Sequence, residues 1–328
     1  MQQNQKRKEW VDALRALAIV LVVYGHRVPE WNGYFVFSSP IKIPLFFAIT
    51  GYVMKGGDSI DIKVFFQKLF RTLVIPWLVL SIVPYLISIP IKGISYFEEH
   101  FLNILSGKEY WYMPCCIFAE IIWFFILKSI KKTWQIVIIA YLFFALGVFL
   151  SRYDNLSILM INRALAVQIY LLIGWVYRKY ESKILNYNKK IYLISLGICV
   201  YLGLGILSRA MYPGEKINIH HTEYYNHVLC QSMIWIGVII LFVGAGHYVP
   251  KFPKIWTMIG QNTLVIYLYH YWIVKIAIKI FNRVNMPINR VTNIFLTAFV
   301  CITCLLISIS INRILPELMG KSRKISKT

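Results

Sequence analysis

The sequence predicts an all-α, polytopic transmembrane bundle of about ten helices with both termini cytoplasmic, and three observations predict it. Apolar residues make up 58% of the 328 positions and charged residues only 15%, where a soluble domain carries about 25% charged. Apolar stretches of about 17 to 25 residues, the length that crosses a bilayer, recur along the whole chain. The Lys and Arg residues fall in short clusters between those stretches. That distribution is a topology signal rather than a nucleic-acid face, although the formal net charge is +21. No polar block is long enough to form a soluble domain, so residues 1–328 read as a single membrane domain.

The first apolar run, 11–28, follows Lys6, Arg7 and Lys8 as in a signal sequence. It leads into Gly25-His26-Arg27-Val28-Pro29 rather than a small-residue cleavage site, so it is expected to remain as the first helix. Runs bounded by charge, Pro and Gly then place spans near 36–54, 72–91, 111–127, 134–150, 161–177, 191–208, 227–247, 257–280 and 291–312. An even number puts both termini on one side. With a cytoplasmic N-terminus the inner segments hold 22 Lys and Arg, the outer segments and adjoining helix ends hold 12, and Arg15 lies inside the first helix. This bias satisfies the positive-inside rule.

The two long outer segments are 92–110 and 209–226. The second carries His220 and His221, with His227 just past its end. No acidic or Cys partner stands at metal-ligand spacing, so these read as solvated histidines and no metal is expected. Cys115, Cys116, Cys301 and Cys304 all lie in apolar spans and read as packing residues.

Ionisable groups inside a span cost at least about 2.5 kcal/mol each on insertion scales and point to function. The first span contains Asp12, Arg15 and His26. At about 100° per residue, the eleven residues from Arg15 to His26 make three turns plus roughly 20°, so both share a face, with Asp12 within about 60° of it. They are separated by about 16 Å along the axis. Spacing alone leaves open a plainer alternative, in which Asp12 and Arg15 pair at the helix end and His26 marks the outer interface. Spans and buried ions alone also fit a secondary transporter or lipid-linked sugar flippase.

Several stretches resemble one family in the same order. Arg15-x10-His26 preceded by Asp12 resembles the first-helix signature of the acyltransferase family 3 membrane proteins. Residues Pro44 to Tyr52 resemble that family's "FF-x-I-S-G-Y" segment, with Thr50 where Ser is usual. Phe66 to Pro76 resembles the basic run before "L-x-x-P", with Lys68 where Arg is common. Tyr110 to Pro114 with Glu120 resembles "LWFLP" and its following acid, and Gly260 to His270 resembles "G-x-x-S-L-x-I-Y-L-L-H". The patches cover residues 8–270.

The resemblance implies an O-acyltransferase of the bacterial plasma membrane that moves an acyl group, most simply acetyl, from cytosolic acetyl-CoA to a hydroxyl of a surface or lipid-linked glycan. On that reading His26 is the catalytic base or acyl carrier, with Glu120 and His270 as further catalytic candidates. Arg15, Lys68 and Arg71 would hold the donor's phosphates, Lys68 as a point charge rather than a planar fork. Asp12, Trp111, Tyr112 and Asn262 are candidates for contacting the acceptor. The chain ends soon after the last span, so transfer is expected to be completed within the membrane domain, without the hydrolase-like domain that some relatives carry. Membrane lipid is an expected partner, nucleic acid is not, and a homo-oligomer is left open.

Overall fold

The computed structural model describes residues 8–26, 33–54, 60–153, 158–212, 228–248, 251–283, 285 and 289–321. His220, His221 and His227 lie outside them. The described residues are helical throughout and contain no strand. In chain order the helices are α1 (Glu9–Gly25), α2 (Gly33–Val53), α3 (Ile62–Leu69), α4 (Ile75–Lys92), α5 (Ile94–Leu105), α6 (Tyr112–Ser129) and α7 (Thr133–Leu150). There follow α8 (Ile161–Ala166), α9 (Gln168–Leu185), α10 (Lys190–Met211), α11 (Val228–Val243), α12 (Lys254–Gln261), α13 (Thr263–Arg283) and α14 (Arg290–Ile314).

Among the described residues eight helical segments are long and apolar enough to cross a membrane. The other two expected spans are α1 and α9, of 17 and 18 residues. α1 is one residue short of the length counted and carries Glu9, Asp12 and Arg15, and α9 carries Arg178, Lys179, Glu181 and Lys183. They tolerate them because neither is a peripheral helix. α2 packs against both, and bundle-facing or end-of-helix charge is the kind that membrane helices bear.

Glycine permits the tightest of these contacts. A Cβ on Gly174 of α9 would stand 1.7 Å from the Ala48 carbonyl oxygen of α2, and one on Gly51 of α2 would stand 2.0 Å from that of Leu171. Two backbones touch there, as small residues allow in a membrane. At the same end Arg178 Nη1 donates to the carbonyls of Tyr52, Val53 and Met54, 3.1 to 3.4 Å away, satisfying the free end of α2. Lys8 and Tyr52 both donate to Glu181. This lock joins the start of α1, the end of α2 and α9.

Two expected boundaries are corrected. The span placed at 257–280 is two helices, because the chain breaks at Asn262 (φ −119°, ψ 21°). The Asn262 Oδ1 accepts from Ser308 Oγ at 2.7 Å and from Asn312 Nδ2 at 3.4 Å, tying the break to α14. The span placed at 72–91 begins ten residues earlier with α3, which joins α4 through a π-helical turn, Phe70–Val74. The segment 92–110, expected to connect two spans, contains α5. Asp12 at the start of α1 bonds Gln261, and Asn262 bonds α14 near its end, so the start of α1 and the end of α14 lie at one end of the bundle.

Candidate active site

α1 carries a polar residue at each end of its buried length, and each meets a different partner. Near the terminal end, Asp12 is 1% exposed. Its Oδ2 accepts from Gln261 Nε2 at 3.0 Å, and its Oδ1 is 3.6 Å from Arg15 Nη1. The i, i+3 pair is therefore formed, but the acid is anchored to α12 rather than left at a solvated helix end. Glu120, half-buried on α6, lies within electrostatic reach of both Lys68 and Arg15. Its Oε1 accepts from Cys116 Sγ at 3.8 Å. Lys68 is in the last turn of α3 and Arg71 in the π turn that follows, both exposed. Among the described residues, Arg15, Lys68 and Glu120 thus form one charged group.

Eleven residues on, His26 caps α1, its backbone N–H directed at the Val23 and Tyr24 carbonyls. Its ring is exposed, and its centroid is 4.9 Å from that of His270 and 5.9 Å from that of Tyr271. His270 lies beneath it, 4% exposed, in the second turn of α13. His270 Nδ1 stands 3.0 Å from the Ile266 carbonyl oxygen and 2.8 Å from that of Tyr267. A carbonyl only accepts, so Nδ1 carries the proton and Nε2 carries the lone pair. That Nε2 is buried and has no hydrogen-bond partner among the described residues. A buried polar atom left unpaired costs on the order of 1 to 3 kcal/mol. Six other buried side-chain atoms among the described residues share this state, and His270 Nε2 is the one imidazole nitrogen among them.

A row of side chains joins the two groups. Tyr267, one turn before His270, accepts from the Tyr112 backbone N–H at 3.3 Å, and the two phenol rings are 5.3 Å apart. Tyr112 also meets Phe46 and Phe47 of α2 at 5.7 and 5.4 Å, and Glu120 lies two turns further along α6. The sequence nominated Tyr112, Glu120 and His270 singly, and the fold aligns them. Trp111 faces away into a cation–π contact with Arg163, 5.0 Å from its ring. Asn262 is engaged in the joint between α12, α13 and α14, its Nδ2 donating to the Met258 carbonyl at 2.7 Å. Glu120 has Lys68 and Arg15 as its charged neighbours, and Cys116 as its hydrogen-bond partner.

One residue near the site was passed over in the sequence. Lys42 lies half-buried on α2, 4.8 Å from the Phe35 ring, and its Nζ would be 3.5 Å from a Cβ on Gly25. A lone lysine within an apolar span is the signal that could have found it.

Chemically, the site offers a lone-pair imidazole nitrogen beside a second, accessible imidazole, and a cationic group about 16 Å away along α1. The first can move a proton at a hydroxyl, and the second can neutralise an anionic group on the same substrate. The acyltransferase domain family model matches residues 8–313. No curated protein and no solved structure matches the chain. Since that match takes in the helices carrying Arg15, Glu120, His26 and His270, the chain belongs to the acyltransferase 3 family, and its spans make it a multi-pass membrane acyltransferase.

Proposed function

We propose that the protein is an O-acyltransferase of a bacterial plasma membrane, moving an acetyl group from cytosolic acetyl-CoA to a hydroxyl of a surface or lipid-linked glycan. The observation that carries this reading is the imidazole pair, with the His270 lone pair fixed at Nε2, set on the same helix line as a cationic group about 16 Å distant. Arg15, Lys68 and Arg71 hold the phosphates of the donor as charge-assisted partners. The pantetheine arm lies along the row past Glu120, Tyr112 and Tyr267 and delivers the thioester to His26.

There His26 takes the proton of the acceptor hydroxyl as its oxygen attacks the thioester carbon. The C–O bond forms, the C–S bond breaks, and the imidazolium returns its proton to the departing thiolate. His270 supports His26 from beneath and supplies a second acceptor for the proton. Because the donor site and the imidazoles are at opposite ends of α1, the donor enters from the cytoplasm and the acceptor from the outer leaflet or beyond.

The experiment is CoA release by the purified full chain in lipid, with and without glycan acceptor, together with glycan mass spectrometry of cells with and without the gene. Acceptor-dependent CoA release and an acetyl mass increment are expected. His26→Ala should lower turnover by 10³-fold or more, with insertion and expression unchanged. Retained turnover in that variant, or saturable CoA binding with no turnover on any glycan, would overturn the assignment.

A further inference from the structure

A second group of titratable side chains is assembled outside the row from His26 to Glu120. α5 and the turn after it bring His100 and Glu109 against Tyr85 of α4. His100 Nδ1 bonds one oxygen of the Glu109 carboxylate, and the Tyr85 hydroxyl donates to the other. The carboxylate accepts, so His100 donates from Nδ1 and, when neutral, keeps its lone pair on Nε2. The imidazole stacks on Tyr85 at 4.5 Å and 20°, and Tyr96 meets it edge-on at 4.2 Å. Tyr85 is buried, whereas the side chains of His100 and Glu109 keep 22% and 23% of their surface accessible.

The group is continuous with the imidazole pair. Trp272 stands edge-on to Tyr85 at 5.1 Å and donates from Nε1 to the Tyr110 hydroxyl at 3.3 Å. Tyr110 in turn meets Tyr267 edge-on at 6.3 Å, and the Tyr267 ring lies 6.1 Å from that of His270. Tyr110 is held at φ +52°, a conformation that a bulky side chain adopts at a cost of about 1 to 3 kcal/mol and that clusters at ligand sites. Burial pushes its phenol up to about 12, so it stays a neutral O–H group.

The charge of this region is also unlike that of the chain. Between residues 92 and 109 stand Lys92 and Lys108 against Glu98, Glu99 and Glu109, in a protein whose net charge is +21. A carboxylate, an imidazole lone pair and aromatic rings in a half-open setting suit a ligand with both apolar C–H faces and hydroxyls; Lys92 Nζ stands over the Tyr96 ring at 4.0 Å, and Glu109 beside His100 is the charge an anionic ligand would meet there. We infer that His100, Glu109 and Tyr96, with Trp272 and Tyr110 behind them, hold a neutral sugar unit of the acceptor glycan next to the unit that is acylated. This rests on the acyl-transfer reading for its purpose and is tested without it.

The test is direct binding to the full chain in lipid nanodiscs, with oligosaccharides of glucose, galactose and N-acetylglucosamine as probes and an oligomer of glucuronic acid as the anionic control. At least one neutral oligomer is expected to bind saturably, and Glu109→Gln and Tyr96→Ala should each weaken it tenfold or more. Thermal unfolding of both variants checks the fold; Tyr96, at the rim, carries the test if Glu109→Gln loses stability. The inference is overturned if no neutral oligomer binds, if the anionic oligomer binds more tightly, or if both variants bind as the parent does. CoA release in the same samples keeps the two readings apart. Sugar binding that these variants weaken, in a protein that never turns over acetyl-CoA, supports this subsite and sinks the acyl-transfer assignment. Acceptor-dependent turnover with unaltered acceptor KM in both variants sinks the subsite alone.

Discussion

Gly260→Ala is the sharpest test of how α1 is held, because two effects of opposite sign meet at one methyl group. In a helix interior alanine is favoured over glycine by about 1 kcal/mol, and Gly260 lies within α12. The new Cβ, however, would stand 1.7 Å from the Asp12 carbonyl oxygen and 2.5 Å from its carbon. An ordinary C···O approach is about 3.3 Å or more, so α1 and α12 must part by on the order of 1.6 Å. The neighbour is backbone and cannot rotate aside. Parting stretches two hydrogen bonds between these helices, Gln261 to Asp12 and Trp256 to the Ala13 carbonyl, both 3.0 Å. At about 1 kcal/mol each they outweigh the gain in propensity. α1 also carries Arg15 and His26, and a displacement of about 1 Å at reacting groups costs roughly 10²-fold in rate. Thermal unfolding in detergent should show a lower midpoint, and acceptor-dependent CoA release should fall by roughly that factor. Gly203→Ala is the control, since nothing lies within 4 Å of its added Cβ. A Gly260→Ala protein with parental midpoint and rate would refute the claim that backbone contact between α1 and α12 sets the site.

Three further variants separate the roles of the site residues. His270→Asn keeps a donor for the Ile266 and Tyr267 carbonyls while removing the Nε2 lone pair; the melting midpoint should stay near the parent's and turnover should fall about 10²-fold or more, and equal activity would assign His270 to packing. Lys68→Ala combined with Arg71→Ala should raise the KM for acetyl-CoA about tenfold or more with kcat little changed, as expected of groups that bind the donor's phosphates; an unchanged KM would remove them from the donor site. Glu120→Gln should alter the KM for acetyl-CoA rather than kcat, because the carboxylate is within electrostatic reach of Lys68 and Arg15; a 10²-fold loss of kcat at constant KM would instead put Glu120 at the reacting atoms.

The helix content was legible because lipid demands it: long apolar runs leave the backbone no other way to satisfy its hydrogen bonds. The boundaries were less so where apolarity and helicity part company. Residues 94–105 have apolar side chains at helical spacing around Glu98, Glu99 and His100, yet are too short to span. A search for spans assigns them to a connecting segment. Asn262 hides in the opposite way. Apolar residues on both sides make 257–280 look like one span, and the break is sustained by Ser308 and Asn312, which are 46 and 50 residues away in sequence. α9 runs on to Leu185 because charges that end an apolar count do not end a helix.

The site divides along the same line. Helical periodicity on α1 could predict that Asp12, Arg15 and His26 share a face, since all three lie on one helix. It could not predict what that face meets. His26 is paired with His270, 244 positions away, and the pairing exists because Gly260 lets α12 lie against α1 and the break at Asn262 then sends α13 up past the end of α1. Glu120 was likewise visible as a carboxyl within a span, but only the fold gives it Arg15 and Lys68 as charged neighbours. A residue's cost of burial is readable from its span; the partner that offsets that cost is a property of the packing. The His270 Nε2 is the one buried imidazole nitrogen among the described residues for which packing supplies no partner, and the proposed acyl transfer would supply one.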